Sequence, residues 1–485
     1  VKGRLVLFIL LAGGSGCVYY NGLWNAHRWA TDAQKQERNG QSEAAVISWS
    51  QAAIEAESVA VRHPRSGWLP DALVTAAEGL AGSRDCTTAA TYFARIPPVT
   101  KDAALLERTA LAQATCALAA GDGDGAEAFA KPVLPSKDKQ RRSRAALLAG
   151  RAAAQGGAFD EAAALLGRSP ERQAGVEEIL ALLDAGRTER ADSLCDPLVG
   201  RKPLEEDWDS IFAAFARDAG PTVTSRIVGR VVPRARLTAG ERARLLLDDG
   251  FRLLDARDPA AADRRFAQAA TAAPDSAEAD KAEVARIWAR VAQVQSLDSI
   301  AALRLALQPY TIRGGGVSDA RHLETVLKQI TGPDTSVTGA FRAGEIARDS
   351  LYANPLAATL LLDFASRHPN SVFAPKAIVA ALPLSPDHAD SLSRTLTERY
   401  AASPYSLALR GAPSPGYNTA EDSLARLFGI RSVPAAGAGV RIFAMWAAPL
   451  TGRRGPLLNP PEVPAGLVPK NQNGPGRRAV PDSVN

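Results

Sequence analysis

The side chains able to do chemistry are few and widely scattered. Cysteines stand at positions 17, 86, 116 and 195, and the five histidines are His27, His63, His322, His368 and His388. No two cysteines have the close pairing of a zinc site, and no histidine pair has metal-binding helical spacing. Asp122-Gly-Asp-Gly125 begins like a calcium loop but lacks the third acidic position and the closing glutamate, so it reads as a turn between helices. Glu205-Glu-Asp-Trp-Asp209 reads as the acidic start of a helix, favoured by the helix dipole. P-loop, dinucleotide and nucleophile-elbow patterns do not occur. No catalytic residue, metal or cofactor is expected, and the chain reads as non-enzymatic.

Charge excludes another class. The run Lys137, Lys139, Arg141, Arg142 and Arg144 is the one strong basic cluster, yet no aromatic residues interleave it. The net charge is only +5, from 57 basic and 52 acidic residues. The run is expected to be a solvated helix face, and nucleic acid is not an expected partner.

What positions these residues is helix. The chain is 46% hydrophobic but only 6% aromatic, it is rich in alanine, and Val/Ile/Thr alternation is missing. At 485 residues one compact core would be unusual, so a repeat array is the first expectation. Its clearest unit holds Leu246, Gly250, Leu253, Ala262, Phe266, Ala269 and Pro274. Gly250 and Ala262 are small where two helices would cross, Phe266 fills the space beside them, and Pro274 stops the second helix. Thr238 and Glu241 have capping-box spacing before the first. Only Asp249 stands where an apolar residue is wanted. The pattern resembles the tetratricopeptide repeat, in which about 34 residues form two antiparallel helices.

The same frame fits Leu73, Ala77, Leu80, Ala89, Phe93 and Ile96; then Ala114, Ala117 and Ala126; then Gly150, Ala153, Ala162 and Leu166; and later Ala347, Ala357, Leu361, Phe364 and Pro369. Arg62-His-Pro-Arg-Ser66 is echoed by Arg367-His-Pro-Asn-Ser371, each closing one helix and opening the next, so His63 and His368 hold equivalent helix-end positions. Periodicity is weak over 204–236, and Arg313-Gly-Gly-Gly316 and Thr331-Gly-Pro-Asp334 read as breaks. The expected fold is an all-α solenoid of tetratricopeptide repeats: an N-terminal array over 17–309, a linker over 310–340, a second block over 341–411, and a tail over 412–485. The tail is expected to hold a short helix over 419–428, then mostly disordered, basic, Pro/Gly-rich chain with an apolar island at Val440–Trp446. In the repeat frame Cys86 begins a second helix and Cys116 lies late in the next first helix, which permits a disulfide between them. Two separate buried thiols are the alternative, and Cys195 reads as a core thiol.

The first residues carry a second resemblance. Lys2 and Arg4 precede the apolar run Leu5 to Ala12, and small residues 13–16 lead to Cys17. Eight apolar residues span about 12 Å as a helix, far short of a bilayer core of about 30 Å. The arrangement resembles a bacterial lipoprotein signal over 1–16, which implies lipidation of Cys17. Two or more acyl chains would hold the protein on a membrane surface, and Val18 in place of aspartate favours the outer membrane. Tyr19, Tyr20, Trp24, Asn25 and Trp29 then open a long helix that is similar to the start of lipoproteins of the BamD family. Tyr20, Trp24 and His27 share a helical face, expected to be a core stripe. The resemblance implies a lipid-anchored scaffold on the periplasmic face of the outer membrane, docking other envelope proteins or their extended segments in outer-membrane protein assembly. The alternatives are a scaffold of a polysaccharide, pilus or secretion machine, or a non-catalytic regulator of a cell-wall enzyme.

Overall fold

The computed structural model describes residues 21–427, save 313 and 333–335. Cys17, the leader and the island at 440–446 lie outside the described residues. Every regular element among the described residues is helical. The chain forms two compact units that meet in sequence at Thr238 and Ala239, whereas sequence reading placed the break over 310–340.

The first unit contains α1 (21–38), α2 (Ser42–Arg62), α3 (Leu69–Gly82), α4 (Cys86–Phe93), α5 (Ala103–Ala119), α6 (Gly123–Ala130), α7 (Lys139–Gln155), α8 (Phe159–Leu166), α9 (Arg172–Asp184), α10 (Thr188–Val199), α11 (Glu205–Asp218) and α12 (Pro221–Val231). These pair as hairpins, and the first helices of successive hairpins, α3, α5, α7, α9 and α11, begin at residues 69, 103, 139, 172 and 205, in steps of 34, 36, 33 and 33. They also touch one another, α3 on α5, α5 on α7 and α9 on α11. Each hairpin hides its apolar side on the next because two helices cannot bury it alone. The weakly periodic stretch 204–236 is a hairpin too. Its α11 buries Trp208, Ile211, Phe212 and Phe215, with Trp208 and Phe212 stacked at 5.6 Å; large side chains replace the small-residue signature there.

One turn recurs. Arg84, Gly121, Gly157 and Gly186 have φ of 69°, 76°, 75° and 72°. The next residue donates its N–H back five positions each time: Asp85 to Leu80, Asp122 to Ala117, Ala158 to Ala153 and Arg187 to Leu182. This is a Schellman ending, which satisfies last-turn carbonyls and needs a left-handed residue. Asp85 and Asp122 then cap the following helices, accepting from Thr88 N and Gly125 N. The Asp122 turn thus joins helices, and Glu205 starts α11. Cys86, at the start of α4, is disulfide-bonded to Cys116 on α5, with Cα atoms 5.5 Å apart. Cys195 is a buried free thiol, and burial pushes its pKa up to about 12.

The second unit holds α13 (Ala239–Asp255), α14 (Pro259–Ala272), α15 (Ala277–Val291), α16 (Leu297–Leu307), α17 (Val317–Thr331), α18 (Val337–Asp349), α19 (Asn354–Arg367), α20 (Ala374–Ala381), α21 (Ala389–Arg399), α22 (Pro404–Leu409) and α23 (Tyr417–Leu427). In the α13–α14 hairpin, Ala262, Phe266 and Ala269 are fully buried, and a Cβ on Gly250 would lie 2.5 Å from Phe266 Cδ1. The turn repeats the Schellman form, with Arg257 at φ 64° and Asp258 N donating to Leu253 O. Asp249 is buried but paired, its Oδ2 2.7 Å from Arg265 Nε on α14; a cross-hairpin ion pair does the job of the missing apolar contact.

Segment 310–340 is not a bare linker. It contains α17, whose Ala320, Leu323, Leu327 and Ile330 are buried with Ile300, Ile346 and Leu356 in one core. The glycine run looked like a break because its reason is tertiary. A Cβ on Gly315 would lie 2.7 Å from Ala277 Cα, and Gly315 N donates to Asp280 Oδ2 at 3.2 Å, so the run lets the backbone cross closely over the start of α15. Phe341, Phe364 and Phe373 form the next core, with rings 5.3 and 5.6 Å apart. Lys376 on α20 and Glu421 on α23 pair at 2.6 Å.

The sequence echo is a structural echo. Ser66 N and Ser371 N donate to the carbonyls of His63 and His368, Leu69 N and Ala374 N to those of Ser66 and Ser371, and the serine hydroxyls accept from Trp68 N and Phe373 N.

Candidate functional site

A groove of about 750 Å³ opens in the first unit between α1 and the first helices of the following hairpins. It is lined by His27, Gln34 and Arg38 of α1, by Glu78 of α3, Arg108 and Ala112 of α5, Gln140 and Arg144 of α7, and Arg172 of α9, among others. Helix α1 reaches it because Leu23, Ala26, Ala30 and Ala33, three and four residues apart, are buried. Ala30 and Ala33 pack with Trp49 and Ala52 of α2. That alanine stripe, not Trp24 and His27, is the core face: Trp24 is 51% exposed, His27 lines the groove, and Tyr20 lies outside the described residues. With its apolar side committed, α1 presents polar residues across the groove. Gln140 Nε2 donates to Gln34 Oε1 at 2.9 Å, Arg144 Nη1 lies 3.7 Å from Glu37 Oε2, and Trp49 Nε1 donates to Glu37 Oε1 at 2.9 Å. At the α1–α2 turn, Gly40 lies against Leu204 and Arg172.

A ladder of ion pairs ties the lining arginines to neighbouring hairpins. Arg108 on α5 meets Asp71 at 2.8 Å and Glu78 at 2.5 Å, both on α3. Arg141 on α7 donates to Glu107 on α5 at 2.6 Å, and Ser136 Oγ donates to the same carboxylate at 2.7 Å. Arg172 on α9 pairs with Asp207 on α11, and Leu204 N donates to Asp207 Oδ2 at 2.7 Å. Arg201 donates to the carbonyls of Ser169 and Glu171 at 3.1 and 3.2 Å. Burial pushes the Asp71 carboxyl up, but the hydrogen bond from His27 and the Arg108 charge outweigh it, and its pKa ends below the usual value. Arg108 is driven the other way; burial opposes its charge, and Glu78 and Asp71 more than restore it.

These pairs decide what the groove can do. Six arginines line it, but most are neutralised by carboxylates on neighbouring helices, so long-range attraction for one sign of charge is weak. His27 Nε2 lies 3.1 Å from Asp71 Oδ2, half of an acid–base relay. The lining hydroxyls of Thr31 and Thr115 are turned back onto the carbonyls of His27 and Leu111 within their own helices.

Of the residues singled out in the sequence, the groove gathers His27, Arg141 and Arg144. The basic run is therefore split: Arg141 and Arg144 turn inward to Glu107 and Glu37, and Lys137, Lys139 and Arg142 are the exposed part. His63, His322, His368 and His388 are not among its lining residues. Sequence reading missed Glu78, Glu107 and Arg108. Their signal is a charge answered by its opposite one repeat later, 37 residues for Asp71 and Arg108, 34 for Glu107 and Arg141, and 35 for Arg172 and Asp207. Among the described residues no cluster of His, Cys, Asp or Glu has metal-binding geometry, and no helix is long and apolar enough to cross a membrane. Neither a family model nor a curated protein matches the chain.

Proposed function

We propose that the protein is a tetratricopeptide-type repeat scaffold, lipid-anchored through Cys17 at the periplasmic face of the outer membrane, which holds an extended segment of another envelope protein in the first unit's groove. The observation that carries the reading is the groove itself: a polar-lined concavity of about 750 Å³ on hairpins repeating every 33 to 36 residues. Such a volume is in the range of pockets that enclose small ligands or a few residues of chain, with amide and guanidinium donors at its walls to meet a peptide backbone. Outer-membrane protein assembly is the role suggested by the N-terminal likeness to BamD-type lipoproteins.

Filling the groove tests this. Ala112 is nearly buried on α5 and lines the cavity, so Ala112→Gln and Ala112→Leu, made singly in tagged full-length protein, occupy the space a client would use. The expected result is loss of co-purifying barrel-assembly proteins from mild-detergent membranes, with normal helicity and abundance. Retention of the same partners by both folded variants overturns the groove reading; secretion or peptidoglycan proteins in their place overturn the assembly role.

A further inference from the structure

The first unit leaves an unusual set of side chains outside. Trp24 and Trp68 are each 51% exposed and Val61 is 72% exposed. All three lie at one end of the unit, where α1 begins, α2 stops and α3 begins. Leu23, Val59, Ala60 and Leu73 share one core cluster, Leu69 packs against it, and Gly22 touches Val59. Trp24 follows Leu23, Val61 follows Ala60, and Trp68 precedes Leu69, so each exposed residue is the outward neighbour of a residue committed to that cluster. The exposed charges among them are Arg28, set over the Trp24 ring at 5.8 Å, and Arg62 and Arg65. Two of the nearby carboxylates are engaged, Asp71 with His27 and Arg108, and Glu57 with Tyr92.

We infer that this end of the first unit, through Trp24, Val61 and Trp68 with Arg28, Arg62 and Arg65, rests in the headgroup layer of a phospholipid membrane. Half-exposed tryptophans beside exposed arginines suit the interface, where the ring has an apolar body and a polar edge and the guanidinium meets anionic headgroups. Chain length selects this occupant over a protein. Four peptide steps separate Cys17 from Asn21, about 14 Å when fully extended, so acyl chains on Cys17 hold this end close to the bilayer. The inference rests on the anchor reading above and adds a second, non-covalent contact that orients the unit.

Quenching of tryptophan fluorescence by phospholipids with brominated chains tests it. Lipidated full-length protein is placed in vesicles of phosphatidylethanolamine and phosphatidylglycerol, alongside W24F/W68F and a Cys17→Ser form at high lipid concentration. Quenching of the acylated protein is expected, and most of it vanishes in W24F/W68F, although five other tryptophans remain. For Cys17→Ser, adding W24A/W68A lowers vesicle partition by about tenfold or more. Acylated protein without quenching, or with quenching undiminished in W24F/W68F, overturns the contact while leaving the anchor standing. An N-terminal mass without acyl chains overturns the anchor instead. The Cys17→Ser series then decides the contact alone: tryptophan-dependent partition supports it, and no vesicle binding overturns it.

Discussion

The Gly250 contact offers a stringent test of hairpin packing, because two effects of known size oppose each other there. Glycine inside a helix is unfavourable by about 1 kcal/mol relative to alanine, so on propensity alone Gly250→Ala stabilises α13. The new Cβ, however, would lie 2.5 Å from Phe266 Cδ1 and 3.0 Å from Cζ, where ordinary contact begins near 3.4 Å. The ring cannot simply swing away. Phe266 is fully buried, and Phe251 meets it edge-on at 5.2 Å. Overpacking of this kind costs about 1–3 kcal/mol, so the net expectation is a loss of up to about 2 kcal/mol. In a unit of this size that lowers Tm by up to about 8 °C. Urea titration of the full chain followed by circular dichroism, with Cm compared at constant m, reads it. Phe266→Leu alone opens a cavity, but combined with Gly250→Ala it makes room for the methyl, so the double variant is less destabilised than the sum by about 1 kcal/mol. Gly240, in the same helix with nothing within 4 Å of its absent Cβ, is the control, and its alanine variant gains up to about 0.5 kcal/mol. If Gly250→Ala matches the Gly240→Ala gain, α13 and α14 do not cross as described, and the repeat reading loses its best-defined hairpin.

Arg108→Met strips Asp71 and Glu78 of a common partner while its own side chain is only 24% exposed, and is expected to cost about 2 kcal/mol at pH 7. The folded pKa of Asp71 is depressed, so the wild-type benefit is present above about pH 4 and fades as pH falls through the folded value, and the gap between the proteins narrows in acid; a constant gap from pH 7 to pH 3 refutes the pairing. Replacing Cys86 and Cys116 together by serine opens a link spanning 30 residues and should lower stability by about 3 kcal/mol. Wild type in reductant should match that double variant, and unreduced wild type insensitive to dithiothreitol contradicts the bond. Burial raises Asp255 to about 6, so its ionisation is costlier in the folded state, and stability from this group declines as pH rises from about 4 through 6. Asp255→Asn should therefore raise Tm at pH 7.5 by the equivalent of about 1 kcal/mol, after discounting for partial exposure, and leave pH 4 unchanged; the reverse order of the two pH values refutes it.

The legible part of this protein is what a hairpin needs locally. Small residues at helix crossings such as Gly250 and Ala262, the glycines of the Schellman turns at 121, 157 and 186, and the aspartates that cap the next helix are each dictated by contacts within about 34 residues, so they leave a mark at fixed offsets. Where the same local need is met by an unfavoured residue, as with Arg84 and Arg257 at positive φ, the mark is missing though the turn is the same. The rest depended on tertiary structure, because its cause lies in distant chain. Gly315 is a close crossing only because Ala277 lies beneath it, and Asp249 is tolerated only because Arg265 reaches it. The inward turn of Arg141 and Arg144 follows from carboxylates on α5 and α1, and α1 lines the groove because its alanines are taken up by α2. Sequence periodicity therefore determined that helices would pair and stack; which charged faces met across the stack, and so where a groove could form, was decided only when side chains a repeat or more apart were brought together.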